Sequence, residues 1–330
     1  NNDEGVSFFL EYLKSGSYQI FTQRIASDGS YFDWKLVASG VPREINFGVA
    51  VYGGKIIYYM DGQILFEYEV QGEFRVFLGG QRCVIRVKDV VVNMDPAEVE
   101  EFVGTLEEYV YRSPYQSRAD AYAQQYAGAA TGQTLLVGAS TLDFWRSTRI
   151  DSDGIAVKGY LDDLTGLPDA DGDGSPDVIN VGIGATTWLD WLSFYDQLVK
   201  PFAPSRLILY CGSNDVYNGT DAEETYARFE AFMRRVRADF PEIEVYYVNI
   251  MPSPTLYNNQ TVWARAEELS SMIAKYAETD EHFTVIDLFD TLCPDGSPAQ
   301  SLWDADNTHL NSKGYAVFAK RIREALGLEA

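Results

Sequence analysis

Histidine is almost missing from this chain of 330 residues: His282 and His309 are the two it has. A general base of the imidazole type must therefore be one of them. Cysteine is nearly as scarce. Cys83, Cys211 and Cys293 are scattered and no CxxC spacing occurs, which excludes a disulfide framework and a zinc ribbon. Cys211, inside the apolar run RLILYCG, reads as a buried strand residue. No apolar run approaches the roughly 18–20 residues needed to cross a bilayer. Positive charge is also short, since 26 Lys and Arg against 49 Asp and Glu leave a net charge of −23. Such a surface repels phosphate backbones and anionic lipid, so nucleic acid and membrane surfaces are disfavoured as partners. A neutral small molecule or glycan is easier to accommodate. No signal peptide is evident, yet the chain starts NNDEG without Met, so loss of a leader is consistent and the compartment stays open between extracellular and cytoplasmic.

What is present is ample core material: 46% hydrophobic and 14% aromatic residues, over a length that suggests two domains. Residues 6–95 read as strands. The runs VSFFLEYL, YQIFTQRI, INFGVAVY, KIIYYM, QILFEYEV, FRVFLG and CVIRVKDVVV are β-branched and aromatic, with Gly- and Asp-rich turns between them. Gly53-Gly54 and Asp61-Gly62 mark successive hairpins. The pattern is that of a small all-β, jelly-roll-like domain over 1–95. Residues 96–115 read as a linker, and a second domain occupies 116–330. There, short apolar strands (TLLVG, DVINVGI, RLILYCG, EVYYVNI, FTVIDL) alternate with amphipathic segments. Tyr226, Phe229, Met233, Val236 and Phe240 share one helix face, as do Val262, Ala266, Leu269, Ile273 and Tyr276, and then Tyr315, Phe318, Ile322 and Leu326. This alternation predicts a three-layer α/β sandwich around a five-stranded parallel sheet, with its site at the carboxyl ends of the strands.

Those ends carry a particular inventory. Gly138-Ala139-Ser140-Thr141 follows the first strand, Gly182-Ile183-Gly184-Ala185-Thr186 the second, and Gly212-Ser213-Asn214-Asp215 the third; Asp306-Asn307-Thr308-His309 precedes the last helix. A hydroxyl, small residues with accessible backbone N–H groups, an amide and an acid–imidazole pair are what acyl transfer requires. The Asp-to-His spacing lets one short loop present both groups, with His309 facing Ser140 and Asp306 orienting the imidazole. Taken singly, Ser140 reads as a helix N-cap, Asn214 as a turn residue and His309 as a surface residue; Asp304 competes with Asp306. His282, in the acidic run TDEHF, reads as a solvated loop residue.

The blocks LLVGASTLDFW, NVGIGATT, YCGSND and DADNTHLNSKGY, in this order, resemble the SGNH (GDSL-type) hydrolases. The resemblance covers about 116–330 and implies a flavodoxin-like fold. It also implies a nucleophile at Ser140, a base at His309, an orienting acid at Asp306, and an oxyanion hole from Ser140, Asn214 and either Ala185 or Gly184, with the motif register favouring Ala185. No cofactor is implied for catalysis. Ala139 replaces the common Asp before the nucleophile, and Ala185 stands where many members place a glycine. LWDADNTHLNSKGY and VNIMPSP look most like carbohydrate or aryl esterases, and residues 116–132 like their lead-in helix. The stretch INFGVAVYGGKIIYYMDGQILFEYEV loosely resembles lectin-like jelly rolls, which implies glycan binding, cleft shaping or pairing of two copies into a homo-oligomer.

Two further features remain. DADGDGSPD sets Asp169, Asp171, Asp173 and Asp177 at the spacing of an EF-hand-type loop, with Gly174 sixth but Asn180, not Glu, at the twelfth position. The readings are a structural Ca²⁺ site or a bare acidic turn. Trp145, Trp188, Tyr217 and Trp303 lie near the functional blocks and are candidate stacking surfaces for a sugar, against core packing as the plain alternative. The leading expectation is a serine esterase that removes small acyl groups, above all acetyl, from a carbohydrate. The alternatives are a lipase or thioesterase for longer chains and a glycan-binding protein with an inactive hydrolase domain. A nucleotide-binding flavodoxin-like protein is disfavoured, because neither GxGxxG nor GxxxxGK[ST] occurs.

Overall fold

The computed structural model describes residues 5–12, 18–25, 31–41, 45–69, 91–108, 111–170, 172 and 174–328. The chain divides into two compact units, Asn1–Arg112 and Ser113–Ala330.

In the first unit, β1 (Gly5–Tyr12), β2 (Tyr18–Ile25) and β3 (Tyr31–Val41) form an antiparallel sheet. Strand β3 was not among the expected runs. A second sheet holds β4 (Phe47–Tyr52), β5 (Lys55–Met60) and β6 (Gln63–Glu69), antiparallel in sequence, and then β7 (Glu107–Glu108), parallel to β6. The two hairpins turn at the expected dipeptides. Gly53 and Gly54 have φ of 59° and 80°, Asp61 and Gly62 49° and 81°, the paired positive values that a type I′ turn needs. Ile20 and Ala38 from the first sheet and Met60 from the second make the small buried cluster, flanked by Ile45 and Leu65. Helix α1 (Pro96–Val103), capped by Asp95, falls where a linker was expected; it packs Phe102 on Tyr59 and receives the Tyr52 hydroxyl at Glu100. FRVFLG, most of CVIRVKDVVV and Cys83 lie outside the described residues.

The second unit is an α/β layered fold, as expected. Its helices are α2 (Gln116–Gln125), α3 (Ser140–Phe144), α4 (Tyr160–Asp163), α5 (Trp188–Leu198), α6 (Ser213–Tyr217), α7 (Ala222–Asp239), α8 (Pro254–Tyr257), α9 (Gln260–Ala277), α10 (Phe289–Leu292) and α11 (Ser312–Ala325). Strands β8 (Thr134–Gly138), β9 (Val178–Asn180), β10 (Arg206–Tyr210), β11 (Glu244–Val248) and β12 (Phe283–Ile286) are parallel, in the order β12-β11-β10-β8-β9. The strands are apolar on both faces because both are covered. Alternate residues separate the layers: Leu135, Val137, Leu207, Leu209, Val245 and Tyr247 pack under α5, α7 and α9. Leu136, Ile208, Tyr210 and Val248 face the opposite layer, with Trp145, Phe318 and Ile322. Asp221, Asn259 and Asn311 cap α7, α9 and α11 through their side chains. Because β9 and β10 lie on opposite sides of β8, the loops leaving β8 and its neighbours open a crevice at their carboxyl ends.

Candidate active site

Ser140 owes its position to a close approach of two strands. A Cβ on Gly138 would lie 2.0 Å from the Tyr210 carbonyl oxygen, so only glycine lets β8 lie this close to β10 at its last residue. The next N–H, that of Ala139, donates to the same oxygen at 2.8 Å, and Ser140 then opens α3.

The opposite wall is the loop before α11. An isolated bridge between Trp303 and Leu310 closes it, and the Asp304 N–H donates to His309 O at 2.7 Å. Within it, Asp306 Oδ2 lies 2.6 Å from His309 Nδ1, and His309 Nε2 lies 3.0 Å from Ser140 Oγ. Asp306 Oδ1 accepts the N–H groups of Thr308 and His309, each at 2.9 Å. Partial burial raises the Asp306 carboxyl, but the hydrogen bonds from the His309 ring and these backbone donors outweigh it and hold it below the usual carboxylate range. Asp304 is engaged elsewhere, by Arg149 at 2.7 Å and the Ser152 N–H at 2.9 Å. The Phe144 ring meets the His309 ring edge to face at 4.8 Å, and Arg149 lies over Phe144 at 4.4 Å.

Between these walls sits the turn Ile183–Thr186, with Ala185 at φ 66°. That is the left-handed region which the third position of a type II turn requires and glycine favours. The Gly184 N–H is taken by Asp143 Oδ2 at 2.8 Å. Among the described residues the Ala185 N–H makes no hydrogen bond, so of the two candidates Ala185 is the one with a donor to offer. Asn214, in the first turn of α6, donates one amide hydrogen to Thr186 O at 2.9 Å, and the amide carries a second. Its neighbour Asp215 is fully buried and accepts from the Trp188 N–H at 3.1 Å and Arg228 at 3.2 Å. Burial pushes the Asp215 carboxyl up to about 7, against the pull of Arg228.

The tryptophans require a correction. Trp145 and Trp188 are fully buried and Trp303 is 4% exposed, so none offers a face to a sugar. Trp145 donates its Nε1–H to Asp163 at 2.8 Å and packs on Phe318; Trp188 packs among Phe229, Phe232 and Tyr247. Their short sequence distance from the site residues hid the fact that they point into the layers. Tyr217, at the end of α6, is 53% exposed.

Of the acidic loop, Asp171 and Asp173 lie outside the described residues. Asp169 accepts the N–H groups of Gly172 at 2.8 Å and Gly174 at 3.0 Å, and Asp177 that of Ala170 at 2.7 Å, so both carboxylates brace the turn itself. Among the described residues no three potential ligands gather as a metal site would require. His282 sits 2.8 Å from Glu244, at the amino ends of β12 and β11.

Three residues at the site carried no local sequence signal. Arg118 of α2 forms a two-point pair with Asp143, at 2.8 and 3.0 Å. Thr255 of α8 holds the carbonyl of Asn307, in the loop before α11, through both its N–H and its hydroxyl, at 3.0 Å each.

Residues 136–317 match the GDSL-like lipase/acylhydrolase family. A GDSL-like lipase from Bacteroides thetaiotaomicron is 17% identical, with a TM-score of 0.50 over 63% of this chain and 97% of its own. An acetylxylan esterase from Geobacillus stearothermophilus is 17% identical, with a TM-score of 0.48 over 61% and 96%. No curated protein matches the chain. Likeness at these identities is one of fold. The family match spans more than half of the chain and includes the loops of Ser140, Ala185, Asn214, Asp306 and His309. The chain belongs to the GDSL-like lipase/acylhydrolase family and is an SGNH-type ester hydrolase.

Proposed function

We propose that this hydrolase cleaves short acyl esters, acetyl above all, borne on a carbohydrate, through Ser140, His309 and Asp306. The carrying observation is the continuous line from Asp306 Oδ2 through the His309 ring to Ser140 Oγ, at 2.6 and 3.0 Å. His309 Nε2 takes the Ser140 proton as Oγ attacks the ester carbonyl, and Asp306 stabilises the imidazolium. The oxyanion accepts the N–H groups of Ser140 and Ala185 and the free hydrogen of the Asn214 amide. His309 returns the proton to the departing alcohol, and water, activated by the same imidazole, releases the acid.

The acidic surface is compatible with a neutral glycan, and Tyr217, on the helix of Asn214, offers an exposed aromatic face. A second reading, a longer acyl chain, is favoured by Ile150 and Ile155, 66% and 47% exposed on the hairpin that binds Asp304 through Ser152. Hydrolysis of p-nitrophenyl acetate against palmitate, by wild type and Ser140→Ala, separates these. Preference for acetate that is lost in the variant is expected. Preference for palmitate selects the second reading, and equal activity in Ser140→Ala overturns both. Removal of acetyl groups from oligosaccharides tests the substrate class. No step uses a cofactor. A structural Ca²⁺ on the Asp169–Asp177 loop is a separate proposal, tested by a fall in melting temperature on chelation.

A further inference from the structure

The backbone bond that closes the turn Ile183–Thr186 is long, the Thr186 N–H reaching Ile183 O at 3.4 Å while the Thr186 hydroxyl donates to the same oxygen at 2.7 Å. No bond within the turn holds Gly184 or Ala185, and Ala185 sits at φ 66°, where a Cβ is unwelcome. A donor aimed at a developing oxyanion must nevertheless be fixed in advance. Asp143, three residues after Ser140 in α3, supplies an outside grip by accepting the Gly184 N–H. A Cβ on Gly184 would lie 3.2 Å from Asp143 Oδ2 and 3.7 Å from Ser140 Cβ, so the clamp, the turn and the nucleophile are immediate neighbours. Asp143 is 8% exposed. An unpaired carboxylate there would be costly to bury and would oppose negative charge forming beside it. Arg118 answers that charge with two hydrogen bonds, with Arg146 Nε farther off at 3.9 Å, and Arg118 comes from α2, outside the family-matched residues 136–317.

Resting on the esterase reading, we propose that Asp143, neutralised by Arg118, is a positioning residue: it holds Gly184 so that the Ala185 N–H faces the carbonyl attacked by Ser140. Asp143 touches no reacting atom, and Arg118 acts through Asp143. The pair has two tasks, orienting the turn and keeping its own charge from opposing the oxyanion, and these can be pulled apart. Arg118→Gln keeps the grip and takes away the two-point partner, leaving Arg146 Nε, 3.9 Å from Asp143 Oδ1, as the remaining cation. Asp143→Ala removes both. Arg118→Gln with Asp143→Asn keeps an acceptor for the Gly184 N–H and no charge.

With p-nitrophenyl acetate, Arg118→Gln and Asp143→Ala are each expected to lower kcat about 10- to 100-fold, with KM changed less than about threefold. Adding Asp143→Asn to Arg118→Gln is expected to restore kcat at least about fivefold. Inhibition by an alkylboronic acid supplies a readout that a merely structural role would not move. Its boron bonds Ser140 Oγ, the serine proton passes to His309, and the tetrahedral anion occupies the oxyanion site. The inhibition constant should weaken in step with kcat/KM across the variants. Arg118 is half-exposed, so Arg118→Gln keeps the fold, and melting curves monitor both singles. Both singles within twofold of wild type, no rescue in the double variant, or boronate affinity that stays constant while kcat/KM falls would overturn the inference. Activity that survives Ser140→Ala overturns the esterase reading beneath it. Activity that needs Ser140 but ignores Arg118 and Asp143 overturns this inference alone.

Discussion

The two histidines carry nearly the same pairing at opposite ends of one sheet. His309 Nδ1 lies 2.6 Å from Asp306, and His282 Nδ1 lies 2.8 Å from Glu244. What differs is the company. His309 stands at the carboxyl ends of the strands, with Ser140 at its other nitrogen, 3.0 Å away. His282 stands at the amino ends, next to Arg237, which donates to its carbonyl oxygen at 3.2 Å and pairs with Asp280. An acid–imidazole pair is thus not a catalytic device in itself; on the proposed function, it becomes one where strand geometry sets a serine hydroxyl and backbone donors opposite it. Two strained backbone positions, Ala185 and Asn307, both at positive φ, lie in the loops around Ser140.

Exchanging equivalent atoms at the two ends tests that contrast. The largest effect is expected from Ser140→Ala and His309→Ala, which should lower kcat by about 10⁵- to 10⁶-fold. His282→Ala should leave it within about twofold of wild type. Next, Asp306→Asn is expected to cost up to about 10⁴-fold in kcat, as loss of the orienting carboxylate does in a Ser-His-Asp triad. Glu244→Gln should not change kcat; a matching loss would break the contrast. Asn214→Ala, which removes a donor and leaves both pairs intact, should cost about 10²–10³-fold in kcat. Ala185→Gly relieves the left-handed alanine and should stabilise the fold by about 1 kcal/mol, read as a melting shift of about 2–4 °C. The smallest effect concerns His282. Its hydrogen bond to Glu244 raises its pKa above the ordinary histidine value. The folded state therefore holds this proton more tightly, and the stabilisation is present in acid and fades as pH rises through the raised value. His282→Gln should lower the melting temperature slightly at pH 5 and not at pH 9; the reverse order would refute the pairing.

The candidate site was legible where its residues are packed into short loops. Ser140, Asn214, Asp306 and His309 each sit in a block of a few residues whose spacing carries meaning without the rest of the fold. Arg118 and Asp143 are two ordinary charges 25 residues apart, joined only because α2, packed on α5, brings Arg118 within reach of α3. Between Gly184 and Ala185 the motif register favoured Ala185, and the Gly184 N–H bond to Asp143, which no motif encodes, agrees with that preference. Strand β3 escaped notice because YFDWKLVASGV mixes Asp33, Lys35 and Gly40 into the apolar pattern. Trp145, Trp188 and Trp303 misled for a different reason: adjacency along the chain says nothing about which way a side chain turns.

Ser113, just before α2, donates its hydroxyl to Asp190 Oδ1 at 2.6 Å, while Asp190 Oδ2 closes the cap of α5 on Thr187. Asp190 is 1% exposed, so a chain trimmed to start at β8 would take the Ser113 hydroxyl from a buried carboxylate oxygen, besides discarding Arg118. The smallest autonomous catalyst to be cut from this protein therefore begins at or before residue 113, well upstream of the stretch by which its family is recognised.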